Sequence, residues 1–198
     1  MPFGLLPVSL VAFALFAVAA RSGDAFGWEV SFLTALHRIA TPPLDRAALW
    51  CSRIFHPQVL AVATVLLTIG FALRRRWRWA WAAFVMVGGA LLLNTVVKQI
   101  VQRSRPMLWT PLRSEVNSGF PSAHAMTSFA FAALLVLLSC RTRWRGAALV
   151  LAPLWLALVA LDRLYLGAHY PTDILAGWCL SLAWVTGVWL LILRAERR

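Results

Sequence analysis

The chain has 198 residues, of which 61% are hydrophobic and 13% are charged, and its mean hydropathy is +0.75. This composition excludes an ordinary soluble domain and indicates an integral membrane protein. A formal net charge of +12 would suggest nucleic-acid binding in a soluble protein. Here the cations stand in short clusters between apolar runs, so no nucleic-acid partner is expected.

Six apolar runs follow one another along the chain, and each is close to the ~20 residues that a spanning helix needs. They cover residues 4–20, 55–73, 79–101, 124–140, 146–161 and 174–193. The pattern predicts an all-α fold, a six-transmembrane-helix bundle that forms a single integral-membrane domain over residues 1–198. The first run is either a retained helix or a signal peptide, because "AVAAR" resembles a small-residue cleavage site. The absence of Lys or Arg before it favours the retained helix.

A short segment between the first two runs has a different pattern. Trp28, Phe32, Leu36 and Ile39 recur at helical spacing, and the "TPPLD" stretch at 41–45 then breaks the pattern. An apolar stripe on a short helix is typical of a segment that lies in the membrane interface. The sequence therefore predicts an interfacial helical segment between helices 1 and 2.

Arginine clusters indicate the orientation of the bundle. "RRRWR" at 74–78, "RTRWR" at 141–145 and "RAERR" at 194–198 contain four, three and three arginines, ten of the 19 cations, and fall on one side of a six-helix path. Dense cations close to span ends mark the cytoplasmic side. The loops at 102–123 and 162–173 are then predicted to lie outside.

The first outer loop begins with "KQIVQRSRP", residues 98–106. Lys98 and Arg105 are seven residues apart, about two helical turns, so they would share a face if the helix continued. Two cations would then point at one place. The alternative is that Lys98 extends toward lipid headgroups and Arg105 is an interfacial anchor.

The same loop ends with "GFPSAHAMTSFAF", residues 119–131. Pro121, Ser122 and Ala123 lead into the fourth apolar run, and His124 falls in its first turn. Free backbone N–H groups at a helix start, beside a hydroxyl group, form an anion-binding site. The alternative is a serine N-cap followed by a histidine that faces water.

The second outer loop contains "YLGAHYPTDILAG", residues 165–177. Arg163 precedes His169 by six residues, and Asp173 follows it by four. If the sixth helix starts at about His169, the histidine and the aspartate share a face and can hydrogen-bond. The aspartate would fix the imidazole tautomer and leave the other nitrogen free to attack. The alternative is a helix-capping aspartate beside an unrelated interfacial histidine.

Taken together, three cations, two histidines, an aspartate and a helix start emerge on one predicted face. Cations and backbone donors bind an anion with several oxygens, and phosphate is the common biological case. One histidine can attack phosphorus while the other protonates the departing oxygen. Neither step requires a metal, and the sequence has no carboxylate cluster to hold one, so no cofactor is predicted.

These three segments resemble the three-part signature of the type 2 phosphatidic acid phosphatase superfamily, whose membrane members are lipid phosphatases. "KQIVQRSRP" matches the first element in full. "PSAH" resembles the second, with Ala123 in place of the usual glycine. "DRLYLGAHYPTD" resembles the third, with Asp162 in place of the usual serine. Asp162 adds a negative charge that either weakens phosphate binding at Arg163 or points away to cap the outer loop.

The resemblance implies a role for each matching residue. His169 would be the nucleophile that forms a phosphohistidine, Asp173 would orient it, and His124 would be the general acid for the leaving group. A set of cations and helix-start donors would bind the phosphoryl oxygens: Lys98, Arg105, Ser122, Ala123 and Arg163.

The resemblance also implies a function, a metal-independent hydrolase of lipid phosphates or diphosphates. The substrate would be a prenyl diphosphate, such as undecaprenyl diphosphate, or a glycerolipid phosphate among the membrane lipids. The site would face the extracytoplasmic side of a bacterial inner membrane. Two alternatives stay open, a lipid A phosphatase or phosphotransferase with the same site, and an anionic-lipid transporter.

Overall fold

The structure, a computed structural model, describes residues 4–22, 26–112, 115 and 117–195. The chain is all-helical, with 79% of residues in helices and no strand in the described ranges. The helices are α1 (Leu5–Arg21), α2 (Gly27–His37), α3 (Pro42–Ile54), α4 (Pro57–Leu73), α5 (Trp77–Ala83), a π-helical segment (Phe84–Gly88), α6 (Gly89–Val101), α7 (Ala123–Ser139), α8 (Arg145–Tyr165) and α9 (Pro171–Ala195).

Four stretches of the described chain are long and apolar enough to cross a membrane: Pro42–Leu73, Trp77–Val101, Arg145–Tyr165 and Pro171–Arg194. Two shorter apolar helices, Leu5–Arg21 and Ala123–Ser139, coincide with the first and fourth predicted runs. Every predicted run therefore lies on a helix. The integral-membrane, all-α class is confirmed, while the count of six spans stays a prediction.

The segment between α1 and α4 holds more helix than the sequence analysis predicted. Helix α2 accounts for the stripe of Trp28 and Phe32, which are about half exposed, although it ends before Ile39. The "TPPLD" stretch was expected to end the helical pattern, yet a new helix, α3, begins at Pro42. Proline is tolerated in the first helical turn, where its missing N–H would have no partner, so here it starts a helix.

Helix α7 is the centre of the bundle. Nine of its 17 residues are buried, and α4, α6, α8 and α9 all pack against it. The main hydrophobic cluster joins Met86 of the π-helical segment, Leu134 of α7 and Val185 of α9. Because lipid tails are as apolar as these side chains, such packing depends on close van der Waals contact.

The π-helical segment is held against α9 by one tryptophan. Trp184 Nε1 donates to the carbonyls of Val85 and Met86, at 3.0 and 3.1 Å. Gly89 allows this approach, because a Cβ there would overlap the Trp184 ring. The carbonyls that a π-helix misaligns therefore have a donor inside the bundle.

A second hydrophobic cluster joins the short helix α2 to the bundle. Leu33 of α2 packs with Leu164 near the end of α8 and with Ile174 near the start of α9. The described residues of the loop at 102–122 and the loop at 166–170 lie at this same end. Ser122 N donates to the carbonyl of Asp173 at 3.1 Å, which ties the start of α7 to the start of α9.

Candidate active site

The two cations of the first motif reach the site through a loop. Helix α6 ends at Val101, because Gln102 has a left-handed backbone with φ of 51°. The helix therefore does not continue to Arg105, and the condition under which the two cations would share a helical face is not met. The chain instead folds back, so that Lys98 Nζ donates to the Ser118 carbonyl and Arg105 Nε donates to the Asn117 carbonyl at 2.7 Å. Both cations bind the same loop.

Helix α7 begins as the second motif predicts, with Ser122 as its N-cap. The Ser122 hydroxyl accepts a hydrogen bond from Ala125 N at 3.4 Å, so the N-cap interpretation holds. Ala123 is the first helical residue and has no positive φ, which explains why alanine serves where glycine is usual. A helix start with its N–H groups is therefore present beside the hydroxyl.

His124 does not face water, contrary to the alternative left open by the sequence. It is 4% exposed, and its Nε2 has no hydrogen-bond partner within the described ranges. The ring of His56 meets the His124 ring edge-on, with centroids 5.3 Å apart. A buried imidazole with one unengaged nitrogen is available to exchange a proton with a bound group.

The third motif places His169 just before a helix. Helix α9 begins at Pro171, so the predicted helical start at His169 was too early by two residues. The i, i+4 proximity nevertheless holds, since His169 Nδ1 lies 3.6 Å from Asp173 Oδ2. Gly167, with φ of +62°, turns the chain from α8 toward the histidine.

Two contacts fix the tautomer of His169. Its Nδ1 lies 2.8 Å from the Gly119 carbonyl, which can only accept. Its Nε2 lies 3.2 Å from Arg105 Nη1, which can only donate. The proton is therefore on Nδ1 and the lone pair is on Nε2. Burial, then the cations of Arg105 and Lys98, lower the pKa of His169 well below 6.5, which keeps the ring neutral at pH 7.

Arg163 and Arg105 share a carboxylate that the sequence analysis did not identify. Glu115 Oε1 lies 3.0 Å from Arg163 Nη1, and Glu115 Oε2 lies 2.8 Å from Arg105 Nη2. The two oxygens of one carboxylate thus bridge two arginines that were expected to bind phosphoryl oxygens. The only sequence signal for Glu115 is that an acid, one of seven in the chain, stands between two of the motifs.

Asp162, which stands where the third motif usually has serine, pairs with Arg163. Asp162 Oδ2 accepts from Arg163 Nε at 2.8 Å and from Arg163 Nη2 at 2.6 Å. The aspartate therefore does not point away. It holds the guanidinium by two hydrogen bonds and leaves Nη1 directed at Glu115.

Two other buried charges complete the site and were also missed. Arg103 lies within the first motif and binds Asp173 Oδ1 from Nη1 at 2.7 Å. Glu29 of α2 binds Arg103 Nη2 at 2.9 Å. Each of the carboxylates at the described site is thus paired with an arginine, and no group of three or more His, Cys, Asp or Glu in the described chain could hold a metal ion.

Comparison with known proteins identifies the family of this site. The model of the PAP2 superfamily matches residues 79–197, a range that includes all three motifs. The chain belongs to the PAP2 superfamily. The predicted class of enzyme, an integral membrane phosphatase that acts on lipid phosphates, is confirmed.

Individual relatives agree with this assignment. The phosphatidylglycerophosphatase B of Bacillus subtilis is 27% identical over 182 residues, which are 89% of each chain. The undecaprenyl-diphosphatase of Sulfolobus acidocaldarius is 28% identical over 168 residues, covering 81% of this chain and 75% of the relative.

Solved structures share the fold. The crystal structure of the transmembrane PAP2-type phosphatidylglycerolphosphate phosphatase from Bacillus subtilis superposes with a TM-score of 0.75 at 25% identity, covering 94% of this chain and 95% of that one. Aquifex aeolicus LpxE superposes with a TM-score of 0.67 at 18% identity, covering 86% and 98%. The latter likeness concerns the fold alone.

Proposed function

We propose that this protein hydrolyses a lipid phosphate or diphosphate through a phosphohistidine on His169, without a metal. The observation that carries the proposal is the orientation of the His169 ring. Its protonated Nδ1 is directed at Gly119 and Asp173, and its unprotonated Nε2 is directed at Arg105. The nucleophilic nitrogen thus points to the place where a cation would hold the phosphoryl group.

The proposed reaction has two steps. In the first, His169 Nε2 bonds to phosphorus while the bond from phosphorus to the leaving oxygen breaks, and protonated His124 gives that oxygen a proton. In the second, water attacks the phosphohistidine, His124 takes a proton from the water, and inorganic phosphate leaves as His169 regains its lone pair. The unengaged Nε2 of His124 supports this role, because that nitrogen is open to exchange a proton with a bound group.

Binding of the phosphoryl oxygens is assigned to the cations and to the start of α7. Lys98, Arg105 and Arg163 supply positive charge, while Ser122 and the amide of Ala123 supply donors at a helix N-terminus. The bridging position of Glu115 supports this assignment, because its carboxylate oxygens already lie at hydrogen-bond distance from two of the arginines. Since these cations supply the charge that a metal would otherwise provide, the proposal needs none.

The proposed substrates are undecaprenyl diphosphate and phosphatidylglycerophosphate or related lipids. The names of the two relatives support this choice, since one is a phosphatidylglycerophosphatase and the other an undecaprenyl-diphosphatase. Both substrates present a phosphate on an apolar anchor, so a site at the end of a helix bundle can reach the headgroup while the tails remain in lipid.

The proposed arrangement in the membrane is a bundle of six spans with the site outside. The spans would be α1, α4, the continuous stretch from α5 to α6, α7, α8 and α9, with α2 in the interface. The arginine clusters at 74–78 and 141–145 lie at the ends of helices opposite the site, which by the positive-inside rule supports an extracytoplasmic site in a bacterial inner membrane.

A phosphate-release panel tests the function. Purified protein in detergent is given prenyl diphosphates, phosphatidic acid, phosphatidylglycerophosphate and lipid A, with and without chelator. We expect release from at least one lipid, no loss with chelator, and inhibition by orthovanadate. Activity that disappears with chelator and returns only with a divalent ion would contradict the metal-free mechanism.

Variants test the chemistry. His169→Ala should abolish turnover and any radiolabelled phosphoenzyme, whereas Asp173→Asn should lower the rate by about 10²- to 10⁴-fold, as loss of an orienting carboxylate does elsewhere. The matched control is Asp45→Asn, which removes a carboxylate bonded only to Tyr165 among the described contacts. Near-normal turnover by folded His169→Ala would overturn the proposal.

A further inference from the structure

Glu29 is a fully buried carboxylate that lies outside the three motifs. It stands in the first turn of α2 and is 0% exposed. Oε1 accepts from Thr172 N at 3.1 Å and from Thr172 Oγ1 at 2.6 Å. Oε2 accepts from Phe26 N at 3.1 Å and from Arg103 Nη2 at 2.9 Å. A buried charge with this many donors is held in one position.

Arg103 carries the connection from Glu29 to the catalytic pair. It is 2% exposed, and Nη1 donates to both Asp173 Oδ1 and Thr172 Oγ1 at 2.7 Å. Its guanidinium lies 4.4 Å from the centre of the Tyr170 ring. A planar fork that is bonded through Nη1 to one carboxylate and through Nη2 to another cannot rotate without losing an ion pair.

The position of Asp173 depends on this fork. A carboxylate turns easily about its terminal torsion, so its two oxygens are not distinguished unless each has a partner. Arg103 engages Oδ1 from one side. Asp173 Oδ2 therefore accepts from Tyr170 N at 2.9 Å and lies 3.6 Å from His169 Nδ1.

We propose that Glu29 is a positioning residue of the active site, which acts through Arg103 and Thr172 to hold Asp173 in the orientation that supports His169. The proposal rests on the proposed function, in which positive charge develops on the imidazole as the phosphohistidine forms. A carboxylate aimed at Nδ1 stabilises that charge only if its orientation is set before the reaction. Helix α2 thus contributes to catalysis although it carries no motif residue.

The competing explanation is that Glu29 only fixes α2 to the bundle. Glu29→Gln disturbs the Glu29 site in either case, because the amide keeps the volume but places its NH2 group against a donor at either end. The two explanations are separated by whether its effect on kcat depends on Asp173. Ser31→Ala is the matched control, since Ser31 is an exposed residue of the same helix whose hydroxyl bonds only to the Gly27 carbonyl among the described contacts. Both variants are purified in detergent and checked for thermal unfolding.

The test is a double-mutant cycle between Glu29→Gln and Asp173→Asn, measured as kcat and KM for phosphate release. We expect Glu29→Gln to lower kcat by about 10- to 100-fold, the range found for residues that orient the ligands of a metal ion, while KM changes little. Added to Asp173→Asn, the same change should cost almost nothing more, because the carboxylate it positions is already gone. Ser31→Ala should match the parent.

Thr172→Val provides a second test if Glu29→Gln does not fold. It removes the hydroxyl that joins Glu29 to Arg103 but keeps the branched shape, so it should give a smaller loss of kcat that also vanishes beside Asp173→Asn. A parental kcat for folded Glu29→Gln, or equal losses in both backgrounds, would overturn the positioning role. Activity of folded His169→Ala would instead overturn the proposed function, whatever Glu29 does.

Discussion

Glu115 competes with the substrate in the proposed site, so its neutralisation should tighten anion binding. The bound phosphoryl group needs Arg105 and Arg163, and both are already paired with Glu115, at 2.8 and 3.0 Å. Glu115→Gln keeps the shape and removes the negative charge. We therefore expect a lower inhibition constant for orthovanadate and a lower KM for the lipid.

The size of the effect follows from the exposure and number of the contacts. A hydrogen bond between charged groups contributes about 1.5 to 3 kcal/mol. Glu115 makes two such bonds with the arginines, but it is 20% exposed and glutamine retains one accepting oxygen. Most of this energy is therefore screened by water or kept in the variant. A net gain of about 1.4 kcal/mol corresponds to about tenfold tighter binding of vanadate.

The assay is inhibition of phosphate release by orthovanadate at several lipid concentrations and at fixed ionic strength. Asp45→Asn is the matched control, because it removes the same unit of negative charge at the same end of the bundle, and Asp45 bonds to Tyr165 and to neither arginine among the described contacts. Its inhibition constant should stay at the parental value. Equal or weaker vanadate binding by Glu115→Gln would show that Glu115 supports the arginines rather than competing for them.

Three further predictions concern pH, orientation and backbone strain. Because burial and the neighbouring cations lower the pKa of His169 below 6.5, its neutral form persists as pH falls, and kcat/KM should show no loss from this group until the pH is below 6.5. The same shift makes folding less favourable below pH 6.5, since the unfolded chain binds a proton that the folded site excludes. A fall of the thermal midpoint that is centred above pH 6.5 and that His169→Ala removes would contradict this. In a chain with its three cysteines replaced, a cysteine at exposed Asn117 should react with an impermeant thiol reagent outside intact cells, and one at Thr142 only after permeabilisation; labelling of both from one side would refute the six-span path. Gly167→Ala should lower the thermal midpoint, because the left-handed backbone costs alanine about 1 to 2 kcal/mol and the new Cβ would lie 2.5 Å from Trp109 Cζ2. Gly146→Ala, which has open space around it, should not lower the midpoint.

The sequence by itself determined the helices and the motif residues, because both depend on local properties: apolar patterning and the spacing between residues. Runs of about 20 apolar residues have no alternative to a helix in lipid, because the backbone must satisfy its own hydrogen bonds there. The positions of α4 to α9 follow from this. The motif residues were recognisable for a similar reason, since Ser122 must stand at a helix start, and His169 and Asp173 must stand four residues apart.

Contacts between distant segments were decided only by the tertiary structure. The left-handed turn at Gln102 ended α6 early, so Arg105 reached His169 through a loop and not along a helix. Glu29 stands 143 residues before Thr172, and no local pattern relates them. A lone acid on a short helix is indistinguishable in sequence from a surface charge. It became part of the site because the packing of α2 on α8 and α9 buried it, and a buried carboxylate requires a partner such as Arg103.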